Sequence, residues 1–232
     1  MKNRFIFSIL SILLLGRFVH GEESLTKDEI VASVKSEDQS GLLELKWGIT
    51  ETIVNNEELF VTVHGAEPRF TGSESSVSIF FNIKGKYKRL KKLTGETSFF
   101  EKPNFFWAEV EGQKAKQQLL QITEVWPGTG HFIKEHIFLI SLGTNPLDLM
   151  VPVRFVPAPD SYKEKLKPGE GVWKGGTNSF DDNGLFFTFY IWNERDGNCC
   201  PTGGKVVGQY SLKKLGNEFE ISARDFKRSP VE

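Results

Sequence analysis

Cysteine is scarce in this sequence: 2 in 232 residues, and the two are neighbours, Cys199 and Cys200. A disulfide-stapled fold or a zinc ribbon needs more thiols, spread along the chain. Histidine is little commoner. Of the 4 present, His20 falls in the N-terminal apolar stretch, while His131 and His136 have an odd separation that places them on opposite faces of a strand. No histidine metal set is expected. The chain also lacks a Gly-x-Ser-x-Gly elbow and a Gly-rich phosphate loop opening a helix. No catalytic residue and no cofactor is therefore assigned. An Asn-x-Ser/Thr acceptor is missing as well, which suits a bacterial envelope protein.

Long apolar runs are confined to the first residues. "MKNRFIFSILSILLLGRFVHG" has basic Lys2 and Arg4, an apolar run from Phe5 to Leu15, and Val19 and Gly21 at the −3 and −1 positions of a cleavage site. Residues 1–21 read as a signal peptide, since the run is shorter than the ~20 residues of a spanning helix. The expected mature protein is secreted or periplasmic, with no membrane span. Its loss of Lys2, Arg4 and Arg17 leaves 26 of the 29 basic residues against 30 acidic ones, a formal charge of −4. Nucleic acid is excluded as a partner on that balance.

The rest is rich in strand formers. Thr26 and Glu29 have capping-box spacing ahead of Ile30, Val31 and Val34, so a short helix is predicted within residues 22–40. From Gly41 onward, runs rich in Val, Ile, Phe, Thr and Trp alternate with Gly, Asn and Asp clusters. Strands are predicted at 42–47, 59–64, 77–83, 105–110, 118–125, 132–141, 149–156, 185–192, 205–212 and 218–222. Pro152, Pro157, Pro159 and Pro168 mark a connector near 157–169, because prolines at that density have no place in a central strand. The fold expected is mainly β, an antiparallel sandwich or open barrel: a β domain at 41–157 and a C-terminal β segment at 158–232 packed on it.

Cys199 and Cys200 are the first candidate site. Adjacent Cα atoms lie ~3.8 Å apart, closer than the ~4.4 Å at which ordinary disulfides begin, so a bond between them is a strained eight-membered ring. Outside the cytosol that vicinal disulfide is the leading reading, a rigid hairpin tip supported by Pro201, Gly203 and Gly204. A pair of thiols, or a link to a partner, is the alternative. "DGNCCPTGGKVVGQYSLKK" resembles the Asp-Gly-x-Cys-Cys-Pro-Ser/Thr-Gly-Gly stretch of uncharacterised exported bacterial proteins. The resemblance implies the compartment and the hairpin, and no activity.

Three further sets stand out. In "LFFTFYIW", Phe186, Tyr190 and Trp192 share one face; they either belong to a strand buried on both sides or line a groove that stacks on a sugar, with Trp173 as a neighbour. Lys84, Lys86, Lys88, Arg89, Lys91 and Lys92 form a basic run that either binds an acidic polymer or protects a sheet edge. Asp181, Asp182 and Asp196 either hold Ca²⁺ between two loops or are turn residues. The function expected is a non-catalytic binding module of the cell envelope, with a polysaccharide or an envelope protein as partner. Two alternatives are a polysaccharide hydrolase using Asp181, Asp182, Glu194 or Asp196, and a structural β subunit of an assembly.

Overall fold

Thr26 and Glu29 close the capping box announced by their spacing: the Glu29 N–H donates to Thr26 Oγ1, and Glu29 Oε2 accepts from the Thr26 N–H at 2.7 Å. That box starts α1 (Lys27–Ser36), whose Ile30 is fully buried. The computed structural model describes residues 26–36, 48–54, 57–65, 74–83, 86–126, 132–140, 149–197 and 200–230. The expected signal peptide and the strand predicted at 42–47 lie outside these residues.

Thirteen strands in two sheets follow among the described residues. An antiparallel meander joins β1 (Gly48–Val54), β2 (Glu57–Gly65), β3 (Glu74–Ile83) and β4 (Lys86–Glu96). The larger sheet takes β5 (Phe99–Phe100), β6 (Asn104–Glu109), β7 (Lys116–Trp126), β8 (Phe132–Ile140), β9 (Met150–Phe155), β10 (Glu170–Asp181), β11 (Gly184–Asn193), β12 (Gly204–Leu215) and β13 (Glu218–Ser229). Its order is β10-β11-β12-β13-β9-β8-β7, with β5 and β6 both on the far edge of β7. All its pairings are antiparallel except β13 with β9, so one sheet runs through both the amino- and carboxyl-terminal parts.

Alternation in β7 and β8 builds two cores from one sheet. Leu119, Ile137 and Leu139 point inward, joining Phe106, Phe187, Phe189, Tyr210, Leu212 and Ile221 inside the curled sheet. Leu120, Ile122, Phe138 and Ile140 point outward against Val77, Ile79 and Phe81 of the four-stranded sheet. Apolar side chains are therefore covered on both faces of β7 and β8. The sheets are also pinned by polar contacts: Ser75 Oγ donates to the Ser98 carbonyl at 2.7 Å, and Ser98 Oγ donates to the buried Glu124 at 2.6 Å. His136 Nε2 lies 2.9 Å from the other Glu124 oxygen, so the buried carboxylate is fully partnered.

The Pro-rich connector is more ordered than its composition suggests. Pro157 precedes a short helix, α2 (Ala158–Tyr162), and a 3₁₀ turn, Lys163–Lys165. Proline's fixed φ suits a helix start. Ala158 and Tyr162 are buried in the core, Tyr162 against Phe189 and Phe226.

At the start of β10, Arg228 on β13 grips Glu170 with both terminal nitrogens, at 2.7 and 3.1 Å, and also donates to the Gly203 carbonyl. The Arg228 hydrogen bonds, helped by the Lys167 N–H, hold the Glu170 carboxyl down at about 2. A depressed carboxyl stabilises the fold above its unfolded value near 4.5, and that contribution fades as pH falls through about 2. We expect Arg228→Met to lower stability at neutral pH by about 1 to 2 kcal/mol and to flatten the acid limb between pH ~4.5 and ~2, measured by urea unfolding.

Candidate functional site

The inner face of β7 changes character along its length. Leu119 is core, but the next inward residues are Gln121 and Thr123, polar side chains that need partners once covered. Both donate to Glu135 Oε2 on β8, Gln121 Nε2 at 3.0 Å and the Thr123 hydroxyl at 2.8 Å. Asn178 on β10 donates to the other oxygen at 3.1 Å, its own carbonyl accepts from the Tyr210 hydroxyl at 2.9 Å, and that hydroxyl accepts from the buried Ala158 N–H at 3.1 Å. One connected polar network therefore runs from α2 to Glu135.

This network lies where the curled sheet fails to close. β10 and β6, the two ends of the strand order, meet without a backbone ladder: Asn104 Nδ2 donates to the Phe180 carbonyl at 2.8 Å, and the Trp107 N–H donates to Asp182 Oδ1 at 2.8 Å. Beyond Asn104 the seam opens into a cleft of about 700 Å³. Gln121, Thr123, Glu135 and Asn178 form its floor. Trp173 and Tyr190 line its mouth, a directly opposed cross-strand pair with ring centroids 6.3 Å apart at 88°. The β10 ladder breaks between Trp173 and Thr177, where Gly176 sits so close to the Thr188 carbonyl that an added Cβ would lie 3.0 Å from it. Across the mouth, Glu101 follows β5, its N–H bonded to the Thr123 carbonyl. Burial, and then the charge of Glu135, push the Glu101 carboxyl above its ordinary range.

The cleft can take a ligand with several hydroxyl or amide groups and a flat apolar face: Glu135 is an acceptor fixed by three donors, and the aromatic pair offers a wall.

The aromatic set predicted from sequence divides. Trp173 and Tyr190 line the cleft. Phe186 and Trp192 share the face of Tyr190 but lie toward opposite ends of β11, and the Trp192 indole donates to the Asp196 carbonyl at 3.1 Å. Burial on both faces of β11 is corrected: residues 185, 187, 189 and 191 are buried, while 186, 188, 190 and 192 are half-covered.

The residues of the calcium and carboxylate-pair readings lie apart in the fold. Asp181 and Asp182 precede β11 and Asp196 follows it, so about 30 Å of strand separates them and no single ion or bond reaches both. Each is a turn residue. Asp181 Oδ1 accepts from the Asn183 and Gly184 N–H groups, and Asp196 accepts from Thr202 Oγ1 at 2.6 Å and from the Asn193 and Thr202 N–H groups. Those bonds, Thr202's hydroxyl first, draw the Asp196 carboxyl below its ordinary range, the wrong direction for a general acid. Glu194 is exposed at the Asp196 end. Among the described residues no group of three metal-ligating side chains occurs.

Cys200 is exposed, with its N–H on the Gly197 carbonyl at 3.3 Å, while Cys199 lies outside the described residues. Of the basic run, Lys84 lies outside them; Lys88, Arg89, Lys91 and Lys92 sit with Lys86 on β4, an edge of the four-stranded sheet, where Arg89, Lys91 and Lys92 are exposed. None of them lines the cleft. Sequence reasoning missed Glu101, Gln121, Glu135 and Asn178, which are up to 77 positions apart and share no motif. The available signal was polar residues interrupting the otherwise apolar strands at 118–125 and 132–141. No protein-family model, no curated protein and no solved structure matches this chain.

Proposed function

We propose that this protein is an exported, non-catalytic binding module of the cell envelope whose ligand is a saccharide seated in the seam cleft. The observation that carries the reading is the combination in one cavity of an aromatic pair, Trp173 and Tyr190, with a floor of side-chain amides around a fixed carboxylate. Sugars present an apolar ring face and a rim of hydroxyls, and the cleft complements both. Export rests on the basic and apolar start of the sequence, and a Cys199–Cys200 ring would stiffen the loop beside Trp192.

Retention on immobilised polysaccharide tests the reading. Trp173→Ala and Tyr190→Ala are each expected to weaken binding about tenfold while leaving the thermal midpoint nearly unchanged, because both side chains lie outside the apolar core. Unchanged retention in both variants, or release of shortened products by the native protein, would overturn it.

A further inference from the structure

The register across three chain segments sets the two glutamates in one row. Phe100 opposes Glu124, so Glu101 opposes Thr123, and Thr123 in turn opposes Glu135. Opposed residues on neighbouring strands point to the same face. Glu101 and Glu135 therefore both look into the cleft, two strand spacings or about 10 Å apart, with Thr123 between them in the register. Thr123 donates to Glu135 and leaves Glu101 to the mouth. Lys102 is the cation at the rim among the described residues; the floor holds only neutral amides, a hydroxyl and Glu135.

Two carboxylates facing one cavity repel each other, and the repulsion is relieved by a positive charge between them. Trp173 and Tyr190 line the same cavity, and aromatic rings also attract cations. A neutral sugar would add no positive charge between Glu101 and Glu135; an ammonium group would supply one and a charge-assisted hydrogen bond. We propose that the cleft selects saccharides bearing a free amine, with the ammonium seated between Glu101 and Glu135 and the sugar ring against Trp173 and Tyr190. The proposal rests on the saccharide reading above and names the class of sugar within it. The raised Glu101 carboxyl fits, since burial and then the charge of Glu135 disfavour its charged form, and a cation offsets both.

Calorimetry with three trisaccharides at about pH 6 and low salt tests the inference: glucosamine trimer, its fully N-acetylated form, and cellotriose. The glucosamine trimer is expected to bind about tenfold more tightly than the other two, with the gap closing as salt is raised. Glu101→Gln, a change at the exposed rim, is expected to remove most of that preference. Equal affinity for all three sugars, or a preference that survives Glu101→Gln, would overturn the amine selection and leave the saccharide site standing. Binding of none of the three, or binding indifferent to Trp173→Ala, would overturn both.

Discussion

Gly208→Ala is expected to destabilise the fold by about 3 kcal/mol or more, lowering the thermal midpoint by roughly 6 to 12 °C. Gly208 lies in β12, a central strand, opposed by Phe187 on β11 and Phe226 on β13. A Cβ built there would fall inside contact distance of the Asp225 backbone carbonyl and of the Phe187 ring. Phe187 cannot swing aside cheaply, since it packs on Phe189, Tyr210 and Phe226 with ring centroids 6.0, 4.9 and 5.6 Å away. Neither can the carbonyl, which lies beside the point where the β12–β13 register shifts between Gln209 and Tyr210. The missing side chain is the space the aromatic core uses, so this position differs from an ordinary strand glycine, where alanine adds stability through the unfolded chain. Urea unfolding followed by tryptophan fluorescence gives the magnitude. A loss below about 1 kcal/mol would mean that β12 and β13 move apart without cost, contrary to the packing described.

The mainly β class was legible because it needs only local pattern: β2, β3, β6 to β9, and β11 to β13 each overlap a strand predicted from residue composition. The misses have local causes. β10, "EGVWKGGTNSFD", carries three glycines and three small polar residues, which read as loop; pairing with β11 and packing of Phe180 override that composition. β4, "KYKRLKKLTGE", is dominated by charge because it is an edge, where lysines are tolerated and useful. The double apolar face of β11 suggested burial on both sides, but only residues 185, 187, 189 and 191 are buried, while those between them are half-covered. The aspartates "DDNG" and "RDGN" were readable as turns from their own side-chain chemistry, and they are turns. The cleft was not readable, for a different reason. Its floor comes from β7, β8 and β10, and what unites those residues is the meeting of the first and last strands of a sheet whose order no local pattern encodes.

Tyr210 joins that cleft to the core, and Tyr210→Phe separates the two contributions. The ring is buried at the centre of the aromatic cluster, against Phe155, Phe180 and Phe187, and phenylalanine preserves those contacts. Only the hydroxyl is lost. It accepts from the Ala158 N–H, in a residue with no exposure, and donates to Asn178. Burial pushes the phenol well above its ordinary range, so it is a neutral donor around neutral pH. Its removal leaves the buried Ala158 N–H without a partner, a cost of about 1 to 3 kcal/mol. The site is affected by the same loss. Asn178 is held between Tyr210 and Glu135; without the hydroxyl its amide can turn, and Glu135 loses one of the three donors that fix it. Saccharide affinity is therefore expected to fall about fivefold at a temperature where the variant remains folded. Asn178→Ala should reproduce the loss of affinity, and adding Tyr210→Phe to it should weaken binding little further, because both changes interrupt one chain of hydrogen bonds. Full additivity of the two affinity losses would show that Tyr210 acts on the cleft by some route other than Asn178.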